Sequence, residues 1–110
     1  MRQRPARALA LALVAGALAS AGCAGRVPQT YTVTIEQMRF TPATISVAPG
    51  DVVEWVNADL VPHTATASGG AFNSGPIAAG SSWRWTARAR GTAPYVCALH
   101  PTMSAQIEVR

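Results

Sequence analysis

Thr30-Tyr31-Thr32-Val33-Thr34-Ile35 places threonine and a larger apolar residue in strict alternation. Successive side chains of a strand point to opposite faces, so this run buries one face and leaves the other in water. The pattern returns at Val52–Asn57, where Val53 and Trp55 share a face. It returns again at Ser81–Ala87, where Trp83 and Trp85 oppose Ser82, Arg84 and Thr86. Ile45 and Val47, His63–Ala67, Ala93–Cys97 and Gln106–Val109 read as further short strands. Pro49-Gly50-Asp51, Gly69-Gly70, Ala78-Ala79-Gly80 and Gly91 punctuate them as turns. After Ile35 the register slips: Met38 and Phe40 fall on the other parity, and a bulge near Glu36–Gln37 would return both to the core side. No helical periodicity follows the first 24 residues. These features predict an all-β fold over residues 30–110, a Greek-key antiparallel β-sandwich of roughly seven to eight strands.

The chain has 110 residues, which favours a single domain. Its N-terminus reads as an export signal over residues 1–22. Basic MRQRPAR precedes the apolar run Ala8–Ala19, and small residues follow. The run is short for a membrane span, which needs about 20 apolar residues. Ser20-Ala21-Gly22-Cys23 resembles a bacterial lipobox, with Ser20 in place of the usual leucine. Cys23 is therefore a candidate for lipidation. Ala19-Ser20-Ala21 offers the alternative of plain cleavage before Gly22. Residues 23–29 read as a tether. An exported, periplasmic or cell-envelope location follows, with membrane attachment only through a lipid anchor.

Net charge is +4, but Arg2, Arg4 and Arg7 lie in the signal. Beyond Cys23, arginines 26, 39, 84, 88, 90 and 110 nearly balance Glu36, Asp51, Glu54, Asp59 and Glu108. Nucleic-acid binding needs a clustered basic face, and the high pI does not supply one. Arg84, Arg88 and Arg90 are the densest charge after the signal; they read as a solvated strand face, or as a docking patch for an acidic partner. Asp51 reads as a turn residue without chemistry, and the three tryptophans as core.

Cys23 sits at the processing site, outside the domain, so Cys97 is a lone thiol within the domain in an oxidising compartment and calls for a reason. It opens Cys97-Ala98-Leu99-His100-Pro101-Thr102-Met103, in which a tight turn can aim thiol, imidazole and thioether at one point. Taken alone, the same residues could be core filler, a buried thiol and a loop histidine. His63 supplies a further imidazole. Trigonal His₂Cys sites with a weak axial Met are blue-copper sites. Thiolate and thioether favour Cu(I), whereas structural zinc sites use paired Cys or His, and thioether is a poor zinc ligand.

Met38-Arg39-Phe40-x-Pro42-x-x-Ile45-x-Val47-x-Pro49-Gly50-Asp51-x-Val53-x-Trp55-x-Asn57-x-Asp59-x-x-Pro62-His63-Thr64 resembles the small cupredoxins. Phe72-Asn73-Ser74-Gly75-Pro76-Ile77 and Gly91-Thr92-x-Pro94-Tyr95-Val96-Cys97-x-x-His100-x-x-Met103 continue the likeness. The short Cys-x-x-His-x-x-Met loop is of the amicyanin form within the plastocyanin family. The resemblance implies one type 1 copper ion per domain, cycling between Cu(I) and Cu(II). His63, Cys97 and His100 would be equatorial ligands and Met103 the axial one. Thr64 would steady the sulfur through its backbone N–H, and Asn57 would brace the neighbouring loop. Ala93, where relatives often carry an aromatic, and Ser104-Ala105, where a glycine is usual, depart from the pattern.

The implied function is one-electron transfer between exported redox partners such as cytochromes or dehydrogenases, not enzymatic catalysis. Docking would be transient, near His100, on a rim of Val61, Pro62, Ala98, Leu99, Pro101 and Thr102, and the protein would be a monomer. The alternative is a copper buffer or delivery protein of the same fold.

Overall fold

The computed structural model describes residues 25–110. The signal, residues 1–22, and Cys23 lie outside the described residues. Eight strands form: β1 (Thr30–Glu36), β2 (Arg39–Thr41), β3 (Thr44–Val47), β4 (Val52–Asn57), β5 (Thr66–Ala67), β6 (Ser82–Thr86), β7 (Gly91–Cys97) and β8 (His100–Val109). They build two four-stranded sheets, ordered β2-β1-β4-β6 and β3-β8-β7-β5, stacked as a sandwich. The expected all-β sandwich is present, but it is not antiparallel throughout. β1 pairs with β4 in parallel, and so does β3 with β8. The chain leaves the first sheet to form β3 and returns as β4, so β4 comes back alongside β1 in the same direction.

Alternation decides what is buried. Val33 and Ile35 on β1, Val53 and Trp55 on β4, Tyr95 and Cys97 on β7, and Met103, Ile107 and Val109 on β8 all face inward. Aromatic rings join the sheets. Trp55 of one sheet meets Tyr95 of the other edge-on, with centroids 5.5 Å apart, and Phe72 lies 5.1 Å from Trp55 and 4.6 Å from Trp85. Such pairs contribute about 0.5–1.5 kcal/mol each beyond their burial. Burial also pushes the Tyr95 phenol up to about 12, because the charged form is disfavoured away from water.

The expected bulge near Glu36–Gln37 is instead a two-residue hairpin turn. Gln37 and Met38 both adopt positive φ, 52° and 59°. Neither is the glycine or asparagine that such a turn prefers. The Asp59 carboxylate compensates by accepting both backbone N–H groups, at 2.7 and 3.0 Å. Phe40 reaches the core as expected, but Met38 is left 42% exposed.

β4 and β7 each run from one pole of the sandwich to the other. At the first pole, Gly50 N–H donates to Ala87 O, Ala87 N–H to Asp51 O, and Gly91 pairs with Val109. Asp51 is fully buried there and accepts from Arg26 Nη1 (2.6 Å), Gln29 N–H (2.9 Å) and Ala48 N–H (2.8 Å). Read from sequence as a plain turn residue, it instead clamps the incoming chain to the β3–β4 turn. The opposite pole carries the ends of β4 and β7, about 20 Å away for a strand of this length.

Candidate metal centre

Three segments converge at that second pole. β4 ends in Asn57, fully buried, whose Nδ2 donates to Val61 O (2.8 Å) and Ile77 O (2.9 Å) while its Oδ1 accepts Asp59 N–H (3.0 Å). The loop 58–62 is thereby folded back, and His63 enters the core bridged to Ile77 through its backbone. From the other sheet, β7 delivers Cys97, and a two-residue turn of Ala98 and Leu99 sets His100 opposite it in register. β8 therefore begins at His100 rather than Gln106, and most of the predicted loop is strand.

His63 Nδ1 and His100 Nδ1 each lie 3.6 Å from Cys97 Sγ. The three donor atoms lie within 4.8 Å of one another. His63 and Cys97 are fully buried and His100 is half-buried. Cys97 is a free thiol. Donors about 2.0–2.3 Å from one metal stand about 3.6 Å apart at an angle between tetrahedral and trigonal, so the observed spacing fits a single ion. The donor set, two imidazoles and a soft sulfur, fits copper.

The surroundings hold these groups in place. Thr64 N–H donates to Cys97 Sγ at 3.3 Å, and Thr64 Oγ1 accepts Ala98 N–H at 2.7 Å. One residue thus ties the sulfur and the following turn to the His63 segment. His63 Nε2 meets Asp59 Oδ2 at 2.8 Å, which leaves Nδ1 facing the sulfur. The Met38 N–H, with help from His63 and the Gln37 N–H, holds the Asp59 carboxyl below its ordinary range. Sequence reasoning missed Asp59; its one signal was an acid four residues ahead of His63. Met103 is 5% exposed, three residues beyond His100 on β8.

The exposed surface above the site is apolar. Val61, Pro62, Ala98, Leu99, Pro101 and Thr102 are all exposed, and Leu60, absent from the expected rim, is 96% exposed.

The profile of the family described as "Copper binding proteins, plastocyanin/azurin family" matches residues 27–110. The chain belongs to this family, the small cupredoxins, and its three clustered donors fit one type 1 copper ion. Among solved structures it is similar to a mutant of amicyanin in the Cu(I) form, at 23% identity and TM-score 0.70, covering 74% of this chain and 82% of that one. A mutant of amicyanin in the oxidized state matches at 24% identity, with the same TM-score and coverage. A copper-containing nitrite reductase from Thermus scotoductus SA-01 matches at 26% identity and TM-score 0.69, over 74% of this chain but 22% of that one. No protein of curated function matches the sequence.

Proposed function

We propose that the protein is an exported one-electron carrier. His63, Cys97 and His100 are the main ligands of its copper, and Met103 is a weaker fourth. The observation that carries this reading is the approach of two imidazole Nδ1 atoms to one buried thiol whose sulfur also accepts the Thr64 N–H. A copper held there supplies a Cu(I)/Cu(II) couple. The chain's own residues do the rest. Thr64 draws charge from the sulfur through its N–H, Asp59 orients His63, and Asn57 fixes the loop that carries it.

His100 is the one half-buried donor and is the edge through which an electron leaves. The apolar rim around it suits brief contact with cytochromes, dehydrogenases or similar partners. The amicyanin likeness supports carriage over catalysis, since the four candidate ligands suffice for one ion and leave no histidine for another. The domain reading is a signal over 1–22, a tether over 23–29 with Cys23 as the lipidated residue, and a monomeric copper domain over 30–110. It places the protein in the periplasm or cell envelope.

The test is the visible spectrum and voltammetry of the Cu(II)-loaded protein. An intense thiolate-to-copper band with reversible cycling is expected, and Cys97→Ser abolishes the band. A colourless protein that holds only Cu(I) would instead identify a copper buffer. Mass analysis of the mature N-terminus tests acylation of Cys23.

A further inference from the structure

The pole opposite the donors carries an arrangement that electron carriage does not use. Of the domain's arginines, only Arg39 lies away from it. Arg84, Arg88 and Arg90 line a cavity of about 560 Å³ together with half-buried Trp85, exposed Thr92 and buried Val109. Two nearby arginines are already neutralised: Arg84 pairs with Glu54 and Arg26 with Asp51. Arg88 is different. It makes no ion pair or side-chain hydrogen bond among the described residues, and residues 1–24 contain no acid that could supply one. Arg90 donates to a main-chain oxygen of Arg110, the last residue of the sequence, and the Arg110 guanidinium itself makes no ion pair or side-chain hydrogen bond among the described residues. Glu108, across from Thr92 in the β7–β8 register, is the single unpaired acid of this neighbourhood. An indole set among arginines suits the headgroup layer of a bilayer, where tryptophan is enriched and guanidinium groups take phosphate in bidentate fashion.

The path of the chain says what faces this pole. Arg26 is held on buried Asp51, and Gln29 N–H and the Gln29 carbonyl are both bonded at the start of β4. The described residues therefore begin at the arginine pole and not at the donor pole. Cys23 is three residues from that fixed point, a reach of about 10 Å at most. This is about one Debye length at 0.1 M salt, so charges at the pole act on whatever surface holds the anchor.

We propose that the Arg88–Arg90 pole binds the anionic phospholipid surface directly, standing the domain on the bilayer with the donor end turned outward. The direction of approach rests on the membrane attachment at Cys23 proposed above; the copper reading plays no part in it. The consequence for function is geometric: redox partners would reach His100 from the aqueous side, about a strand's length from the headgroups.

The test uses the mature chain from residue 23 carrying Cys23→Ser, so that neither an acyl group nor the basic, apolar segment 1–22 contributes. Binding is measured to mixed phosphatidylcholine–phosphatidylglycerol vesicles and to pure phosphatidylcholine, with amide hydrogen exchange as the footprint. Arg88→Gln with Arg90→Gln in the same background is expected to weaken binding to the anionic vesicles about 25-fold, from about fivefold for each basic residue at an anionic surface. Arg88→Lys with Arg90→Lys retains most of it. Residues 84–92 gain protection on anionic vesicles, a readout that needs no variant to fold. Far-UV circular dichroism reports folding of the variants.

Equal binding of the Gln pair and the parent overturns the proposal. So does binding indifferent to phosphatidylglycerol, or protection confined to residues 98–101. Protection of residues 84–92 by soluble glycerol phosphate without vesicles would assign the cavity to a free anion and overturn the membrane assignment. Failure of Cys23 acylation is read separately, from the mass of the mature N-terminus.

Discussion

Thr64→Val removes a hydroxyl and almost no volume, and it separates two ties that meet in one residue. The Thr64 side chain is buried, 4% exposed, and its Oγ1 accepts Ala98 N–H at 2.7 Å. Valine leaves that N–H, partly buried at the tip of the β7–β8 turn, without an acceptor. The penalty for an orphaned donor is about 1–3 kcal/mol. The other partner of the hydroxyl, Thr66 Oγ1 at 2.9 Å, keeps its contact with Asn73 Oδ1 at 3.2 Å, so little is added there. For a domain of this size each kcal/mol shifts the melting temperature by about 4–8 °C, which predicts a fall of roughly 5–20 °C.

The backbone N–H that meets Cys97 Sγ is untouched by the substitution. The visible band of the copper-loaded protein should therefore survive while stability drops. Two measurements check this: thermal unfolding of the metal-free chain, and hydrogen exchange at Ala98, whose amide should exchange faster. Thr64→Ser, which retains the hydroxyl, should keep Ala98 protected. A valine variant that melts within the ordinary scatter of surface substitutions, about 0.5 kcal/mol, with Ala98 no less protected, would show that the hydroxyl does not hold the turn.

Phe72→Ala should cost about 3–5 kcal/mol in urea unfolding, because Phe72 is 5% exposed and touches Trp55, Trp83, Trp85 and Tyr95 at once. Arg26, with the Gln29 and Ala48 N–H groups, holds the Asp51 carboxyl far below its ordinary range. Its stabilisation is then complete above an ordinary carboxylate pKa of about 3.9 and is lost as pH falls below it, since the unfolded chain takes up the proton first. Melting curves across the acid range should show Asp51→Asn less stable at neutral pH and flatter in acid than the parent. Tyr95 shows the reverse limb. Its phenol ionises near 12 when folded and near 10 when unfolded, so stability should decline between those values, and Tyr95→Phe should flatten the decline.

Much of the fold was legible because it rests on local alternation. Val33, Ile35, Val53, Trp55 and Tyr95 occupy the faces their parity assigns, and the turns at Gly50 and Gly80 fall where glycine marks them, each at positive φ. The rest depends on partners distant in sequence. A turn at Gln37–Met38 has no glycine to announce it; it depends on Asp59, 21 and 22 residues on. Asp51 looked like punctuation because the groups it binds, Arg26 and Gln29, belong to a segment that reads as slack tether. Parallel pairing of β1 with β4 follows from the chain's return from the other sheet, to which alternation is blind. The donors were legible because softness and spacing are properties of residue type. Their supports were legible only in part, since hydrogen bonds such as His63 to Asp59 depend on how the loop closes.

The supports also decide what kind of site this is. His63 is fixed by Asp59 and by its bridge to Ile77, and Cys97 by burial and the Thr64 N–H. One belongs to the connection leaving the first sheet and the other to the last residue of β7 in the second, so an ion between them cross-links two layers of the core. An ion bound only by the folded state stabilises it, by about 2.7 kcal/mol at a hundred times its dissociation constant. Two of the three donors are therefore positioned by the fold itself, and a metal must accept their placement. His100 differs: it is half-buried, and among the described residues its ring makes no hydrogen bond other than the contact with Cys97 Sγ. Any adjustment between the oxidation states of a bound copper would thus fall on the donor nearest the surface, while the buried pair would keep its spacing.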